Sequence, residues 1–186
     1  LGIEFQQPGE GFAALVFRWF DARGTEVGFD QAILRTHAAS PKPMLGRGAV
    51  WEVYEDDLEL SASSGRVRAV WSKSDGRLLR LSIDGKTAAE DATLNIWRAP
   101  TDNDFGAKLN EKNRAWADPG LTLVSLDHTL SDGVAVVTAR YDLRRVTGRL
   151  EIEYRIDNAG EILIRQTLHA AADKGEPDLL RFGMRM

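Results

Sequence analysis

Apolar and polar side chains alternate with period two over most of this chain, and turn-forming residues interrupt the alternation at short intervals. That pattern predicts antiparallel strands with one buried face. Phe12 to Phe20 is strongly apolar, breaks at Asp21 to Gly24, and resumes with Val27, Phe29, Gln31 and Ile33, which predicts a hairpin. His37 to Gly48 gathers proline, glycine and serine without periodicity, and the prolines flanking Lys42 favour an extended linker. The expected division is a first β-unit over 1–38, a linker over 39–49, and a larger β-domain over 50–186.

In the larger part, Val50 to Ala62 reads as one or two strands, and Gly65 to Lys73 as another that meets a turn at Ser74 to Gly76. Leu79, Leu81 and Ile83 then alternate with Arg80, Ser82 and Asp84 up to Asp84-Gly85, a pair that tolerates the positive φ of a tight hairpin. Leu150, Ile152, Tyr154 and Ile156 face one way, with Glu151, Glu153, Arg155 and Asp157 opposite. A turn at Asn158 to Gly160 leads into Ile162, Ile164 and Leu168. One short helix is predicted, over Glu111 to Ala117, stopped by Asp118-Pro119-Gly120. Strands at this spacing without βαβ units predict an all-β antiparallel sandwich.

Composition narrows the chemistry. Among 186 residues, 43% are hydrophobic and 28% charged, enough to bury a core, and the net charge is −4. That balance argues against nucleic acid, whose phosphates need clustered Lys and Arg, and against an anionic membrane surface. No apolar run reaches the length of a membrane span. The absence of cysteine removes disulfides, thiolate metal sites and a cysteine nucleophile, and leaves the compartment open. Leu1 to Gly11 carries no secretory signal pattern, and the expectation is that the chain is part of something longer.

The stretch that concentrates chemistry runs from Leu94 to Gly106, LNIWRAPTDNDFG. Asp102, Asp104 and Gly106 imitate the opening of a calcium loop, but position twelve is Asn113 where a bidentate glutamate is needed. His37, His128 and His169 are far apart and in no zinc-binding pattern, and no nucleophile elbow is present. Asp102 and Asp104 could approach the separation of about 5 Å used by retaining glycosidases, yet two such close aspartates have little reason to divide acid from base. The structural alternative is that Asp102, Asn103 and Asp104 cap a turn and the following helix, with Arg98 as a bidentate counter-charge. Trp97 and Trp116 flank this loop and could stack on a sugar, or pack in the core. Trp19, Trp51 and Trp71 lie in strand patterns and are expected to fill core.

The string Trp97, Arg98, Ala99, Pro100, Thr101, Asp102, Asn103, Asp104, Phe105, Gly106 resembles the start of the small-chain region of large bacterial β-galactosidases of glycoside hydrolase family 2, the lactose-operon type. Asn113 to Leu121, Tyr154 to Ile164 and Leu179 to Met186 are similar to later parts of that region, with Leu180 where the family has proline. The first hairpin resembles the last strands of the immunoglobulin-like domain preceding it. The resemblance implies a partial β-supersandwich of the galactose mutarotase-like kind, and a parent that hydrolyses terminal β-D-galactosides such as lactose.

It also implies that the catalytic glutamates lie in a TIM-barrel domain outside this chain, so the chain alone is expected to be inactive. No cofactor is implied for this segment; the family commonly uses Mg2+ and Na+ bound in other domains. Arg98, Asp102, Asn103, Asp104 and Gly106 would form a loop near the substrate, with Gly106 as a hinge. The implied partners are the galactoside, the TIM-barrel domain and further copies of the chain, and the implied compartment is the cytoplasm, with the periplasm as the alternative. A carbohydrate-binding or assembly module, and an aldose mutarotase, are the rival readings.

Overall fold

The computed structural model describes residues 13–35, 48–170 and 179–186. The chain divides into two compact units, Leu1–Pro43 and Met44–Met186. Residues 36–47, which hold His37 and nearly all of the expected linker, lie outside the described residues, as do 1–12 and 171–178. Among the described residues no helix is long and apolar enough to cross a membrane.

The first unit contributes one hairpin, β1 (Ala13–Phe20) and β2 (Glu26–Arg35), paired antiparallel. Asp21 makes the turn: its carboxylate accepts from the backbone N–H groups of Arg23 and Thr25 at 2.8 and 2.9 Å. Gly24 takes φ 80° there. Trp19 does not fill a core: it is half-exposed and stacks on Phe17, with ring centroids 6.4 Å apart.

The second unit holds two antiparallel sheets and a short extra pair. One sheet runs β3 (Glu52–Glu55), β4 (Glu59–Ser64), β5 (Val67–Ser72), β6 (Leu78–Ile83) and β7 (Lys86–Glu90), in sequence order. After β8 (Thr93–Leu94) and a helical segment, the other sheet runs β9 (Leu121–Ser131), β10 (Val134–Leu143), β11 (Gly148–Ile156) and β12 (Ile162–Ala170), also in sequence order. The final strand, β13 (Met184–Arg185), pairs with β8. The fold is the all-β antiparallel sandwich that the alternation predicts.

The core is where the inward faces meet. Leu60, Ala62, Val67, Ala69, Trp71, Leu78 and Leu81 from the first sheet are buried in one cluster with Val137, Ala139, Tyr141, Leu150, Ile152, Tyr154 and Ile156 from the second. Trp71 meets Tyr154 edge-on at 5.9 Å, the geometry the ring quadrupoles favour. Trp51 is buried too, and its indole N–H donates to the Gly133 carbonyl at 2.8 Å, tying the entry to β3 onto the β9–β10 turn. Outward positions of the second sheet carry charge instead, with Arg140 bridging Asp127 at 2.7 Å and Glu151 at 2.9 Å across three strands.

Two expectations need correction. The alternation predicts Leu79 on the core side with Leu81, but Leu78 and Leu81 are the buried pair. Trp71 pairs with Leu78 and Val70 with Arg80, so Leu79 is the extra residue of a β-bulge, and the bulge resets the parity of β6. The single helix expected over Glu111 to Ala117 is instead three short pieces: α1 (Asp102–Gly106), α2 (Leu109–Lys112) and a 3₁₀ turn at Arg114–Ala117. Lys108 at φ 58° separates the first two, and a left-handed residue cannot continue a right-handed helix.

Two turns lock the sheets reciprocally. Gly76, in the β5–β6 turn at φ 71°, lies so close to the other sheet that a Cβ there would stand 2.5 Å from the Tyr141 hydroxyl and 2.7 Å from Leu123 Cδ1. Gly160, in the β11–β12 turn at φ 90°, would place a Cβ 2.6 Å from Ile83 Cδ1. Gly65 shares the positive φ but has open space around it. Alanine at Gly65 should therefore cost only the backbone strain of about 1 kcal/mol, whereas Gly76→Ala and Gly160→Ala should each add roughly 1–3 kcal/mol of overpacking. Urea denaturation of the three variants checks this, and equal losses would contradict it.

Candidate functional site

The site is built by the approach to α1. Ile96 is buried and Trp97 packs against the core, so the two residues before Arg98 are rooted in the sandwich. Just upstream, Leu94 pairs with Met184 and Thr93 with Arg185, while the Asn95 N–H donates to the Gly183 carbonyl at 2.8 Å. Met184 and Arg185 thus hold the short strand that leads toward Arg98.

Thr101 begins α1 as its N-cap in extended conformation, and its hydroxyl accepts from the Asp104 N–H at 3.4 Å. Asp104 returns the contact: its Oδ2 accepts from the Thr101 backbone N–H at 2.7 Å and from the Thr101 hydroxyl at 2.9 Å. This is a capping box with aspartate in the place more often taken by glutamate. Arg98 closes the set, Nη1 donating to Asp104 Oδ2 at 2.5 Å and Nη2 to Oδ1 at 3.0 Å. Asp104 is only 5% exposed. The Arg98 guanidinium, then the Thr101 backbone N–H, hold its carboxyl well below the usual aspartate range, and the same contact raises the Arg98 pKa further.

The three acidic-loop residues therefore do different things. Asp104 is the buried bracing group and the partner of Arg98, while Asp102 and Asn103 are exposed and stand outside this hydrogen-bond set. The carboxylates of Asp102 and Asp104 do not share an environment, and one is fully committed to structure. Thr101 is the residue that sequence reasoning missed, although a Thr three positions before an acid is the written sign of a cap. Phe105 was missed too: it is 56% exposed beside Asp102 and Asn103.

Gly106 ends α1 without a positive φ, and nothing lies within 4 Å of where its Cβ would stand, so this conformation does not require glycine there. Trp116 is 3% exposed and belongs to the core cluster. Trp97 is half-buried, and both residues border a shallow depression of about 290 Å³ with Asn95 and Pro119. His128 and His169 are exposed on separate strands. Among the described residues no three His, Cys, Asp or Glu side chains gather where they could hold a metal.

The acidic turn is thus braced on the end of an antiparallel sandwich. Residues 63–186 match the family described as beta galactosidase small chain. The chain belongs to that family. It is similar to a beta-galactosidase of Priestia megaterium (strain DSM 319 / IMG 1521), 27% identical over 169 residues that cover 89% of this chain and 16% of that protein. It is also similar to a beta-galactosidase of Actinobacillus pleuropneumoniae, 28% identical over 142 residues covering 74% of this chain and 14% of that protein. The chain spans a small fraction of either relative.

Because the Asp104 pKa is depressed in the fold, the contribution of the Arg98 pair is fully present above the ordinary aspartate value of 3.8 and is lost as the pH falls below it. Asp104→Asn should therefore be clearly less stable than the parent chain at pH 7, and the gap should narrow steadily below pH 3.8. Asp102→Asn should match the parent chain throughout. Urea unfolding across this pH range decides, and a gap that persists unchanged at low pH, or equal damage from Asp102→Asn, would refute the division of roles.

Proposed function

We propose that this chain is the non-catalytic part of a retaining β-galactosidase of glycoside hydrolase family 2 that shapes the mouth of the active site and supports domain packing. The catalytic carboxylates belong to a TIM-barrel domain of the same polypeptide, which performs the double displacement on terminal β-D-galactosides. Magnesium and sodium, where the enzyme uses them, are held by those other parts. The reading rests on family membership and on the names of the two relatives.

One observation carries the role of this segment. Within a single helical turn, Asp104 is sealed and paired while Asp102, Asn103 and Phe105 are exposed. A turn fixed at its base and dressed outward with two polar groups and an aromatic ring is suited to border a sugar site, because an aromatic face and hydrogen-bonding side chains are what a pyranose recognises. The neighbouring Gly106 would let the following loop move at little cost.

Two measurements test this. The purified chain should not hydrolyse a nitrophenyl β-galactoside, and turnover that follows the chain through purification would overturn the assignment of catalysis to another domain. In the full-length enzyme, Phe105→Ala should raise KM several-fold while leaving thermal stability nearly unchanged, since Phe105 is more than half exposed here. An unchanged KM would remove this turn from the active-site mouth. Galactose binding by the chain alone, measured by calorimetry, would favour a carbohydrate-binding module instead.

A further inference from the structure

A cavity of about 500 Å³ opens between the two sheets of the larger unit, bordered by the β5–β6 turn, β8 and the first residues of β9. Much of its wall is aliphatic, from Leu94, Leu121, Leu123, Leu150 and Ile152. Its charged lining consists of Asp75 and Arg77 from the turn and Arg144 from the segment after β10. Asp75 and Arg77 pair with each other at 2.7 Å. Arg144 has no carboxylate partner among the described residues, so the lining carries one surplus positive charge.

A second feature points the same way. Tyr141 is 6% exposed and lines the cavity, yet its hydroxyl has no hydrogen-bond partner among the described residues. Tyr154, beside it in the lining, is satisfied by the Leu78 backbone and has its pKa pushed up to about 12 by burial. Burial raises the Tyr141 pKa as well, so its hydroxyl stays protonated and available to donate. A donor that faces the cavity without a protein partner is free to bond whatever occupies it. Gly76 is what allows this hydroxyl to sit where it does.

We propose that this cavity binds a small organic acid, its carboxylate accepting from the Tyr141 hydroxyl and the Arg144 guanidinium and its apolar body lying against Leu94, Leu121 and Leu150. The combination of one unpaired cation, neutral hydroxyl donors and a largely aliphatic wall selects an amphipathic monoanion. A neutral sugar could bond Ser74, Thr93 and Thr122 but would leave Arg144 without a counter-charge, so the acid is preferred. The site is independent of the acidic turn at Asp104, and nothing in the proposal depends on glycosidase activity.

The test is NMR titration of the ¹⁵N-labelled 186-residue chain with sodium hexanoate, hexan-1-ol and galactose in parallel. Hexanoate should produce saturable shifts confined to residues around Leu123, Tyr141 and Arg144, and should bind about tenfold tighter than hexan-1-ol, the value of one charge-assisted hydrogen bond. Tyr141→Phe and Arg144→Gln should each weaken hexanoate about tenfold while leaving the hexan-1-ol response alone. Equal binding of acid and alcohol, shifts confined to another region, a preference for galactose, or hexanoate affinity unmoved by both substitutions would each overturn the proposal. The comparison of acid with alcohol uses the unaltered chain, so it stands even if a variant fails to fold.

Discussion

Everything in the larger unit depends on two sheets closing over one shared apolar core. Each sheet is laid down in sequence order by short hairpins, so local pairing is cheap, but neither sheet can bury its apolar face alone. Trp71 against Tyr154 is the centre of that closure. The turns at Gly76 and Gly160 bear on its spacing from both sides, since each sheet sends a turn so close to the other that a Cβ would meet Tyr141 and Leu123 at one end and Ile83 at the other. A larger residue at either point would push on the opposite sheet, and the interior would have to open to receive it.

The acidic turn inherits its rigidity from this closure. Ile96 and Trp97 are held by the core, β8 is held by β13, and Arg98 is therefore presented from a fixed backbone. That matters energetically, because a guanidinium that is already positioned loses little further freedom on binding a carboxylate bidentately. Asp104 in turn spends both oxygens on the brace, with Oδ2 accepting from Arg98 and twice from Thr101. A carboxylate so committed is a poor acid or base, and the local chemistry of this loop is that of a fixed support.

Much of this was legible in the residues. Leu150, Ile152, Tyr154 and Ile156 announce a strand with one buried face because side-chain direction alternates with the chain itself. The Arg98–Asp104 pair was legible because both partners sit in one short string of the sequence. What stayed hidden was set by tertiary geometry. The bulge that buries Leu78 in place of Leu79 depends on the register with β5, and a one-residue slip reverses every side chain beyond it. The β8–β13 pair joins two-residue strands about ninety positions apart, and no local pattern can encode a pairing so short and so distant. Gly76 and Gly160 read as ordinary turn residues until the opposite sheet is in place.

Thr101 sharpens the point, since its signal was present and easily outweighed by its neighbours. A string holding two aspartates, an asparagine and an arginine draws attention to charge, and the neutral hydroxyl before them looks incidental. Yet the hydroxyl decides which aspartate turns inward. A cap at position 101 places its reciprocal partner three residues on, so Asp104 is recruited to the helix start and Asp102 is left on the outer side of the first turn. Only a cap two residues earlier, at position 99, would place Asp102 three residues on and exchange that assignment. The division between a buried brace and an outward polar surface therefore follows from helix phase, and charge alone could not have chosen between the two acids.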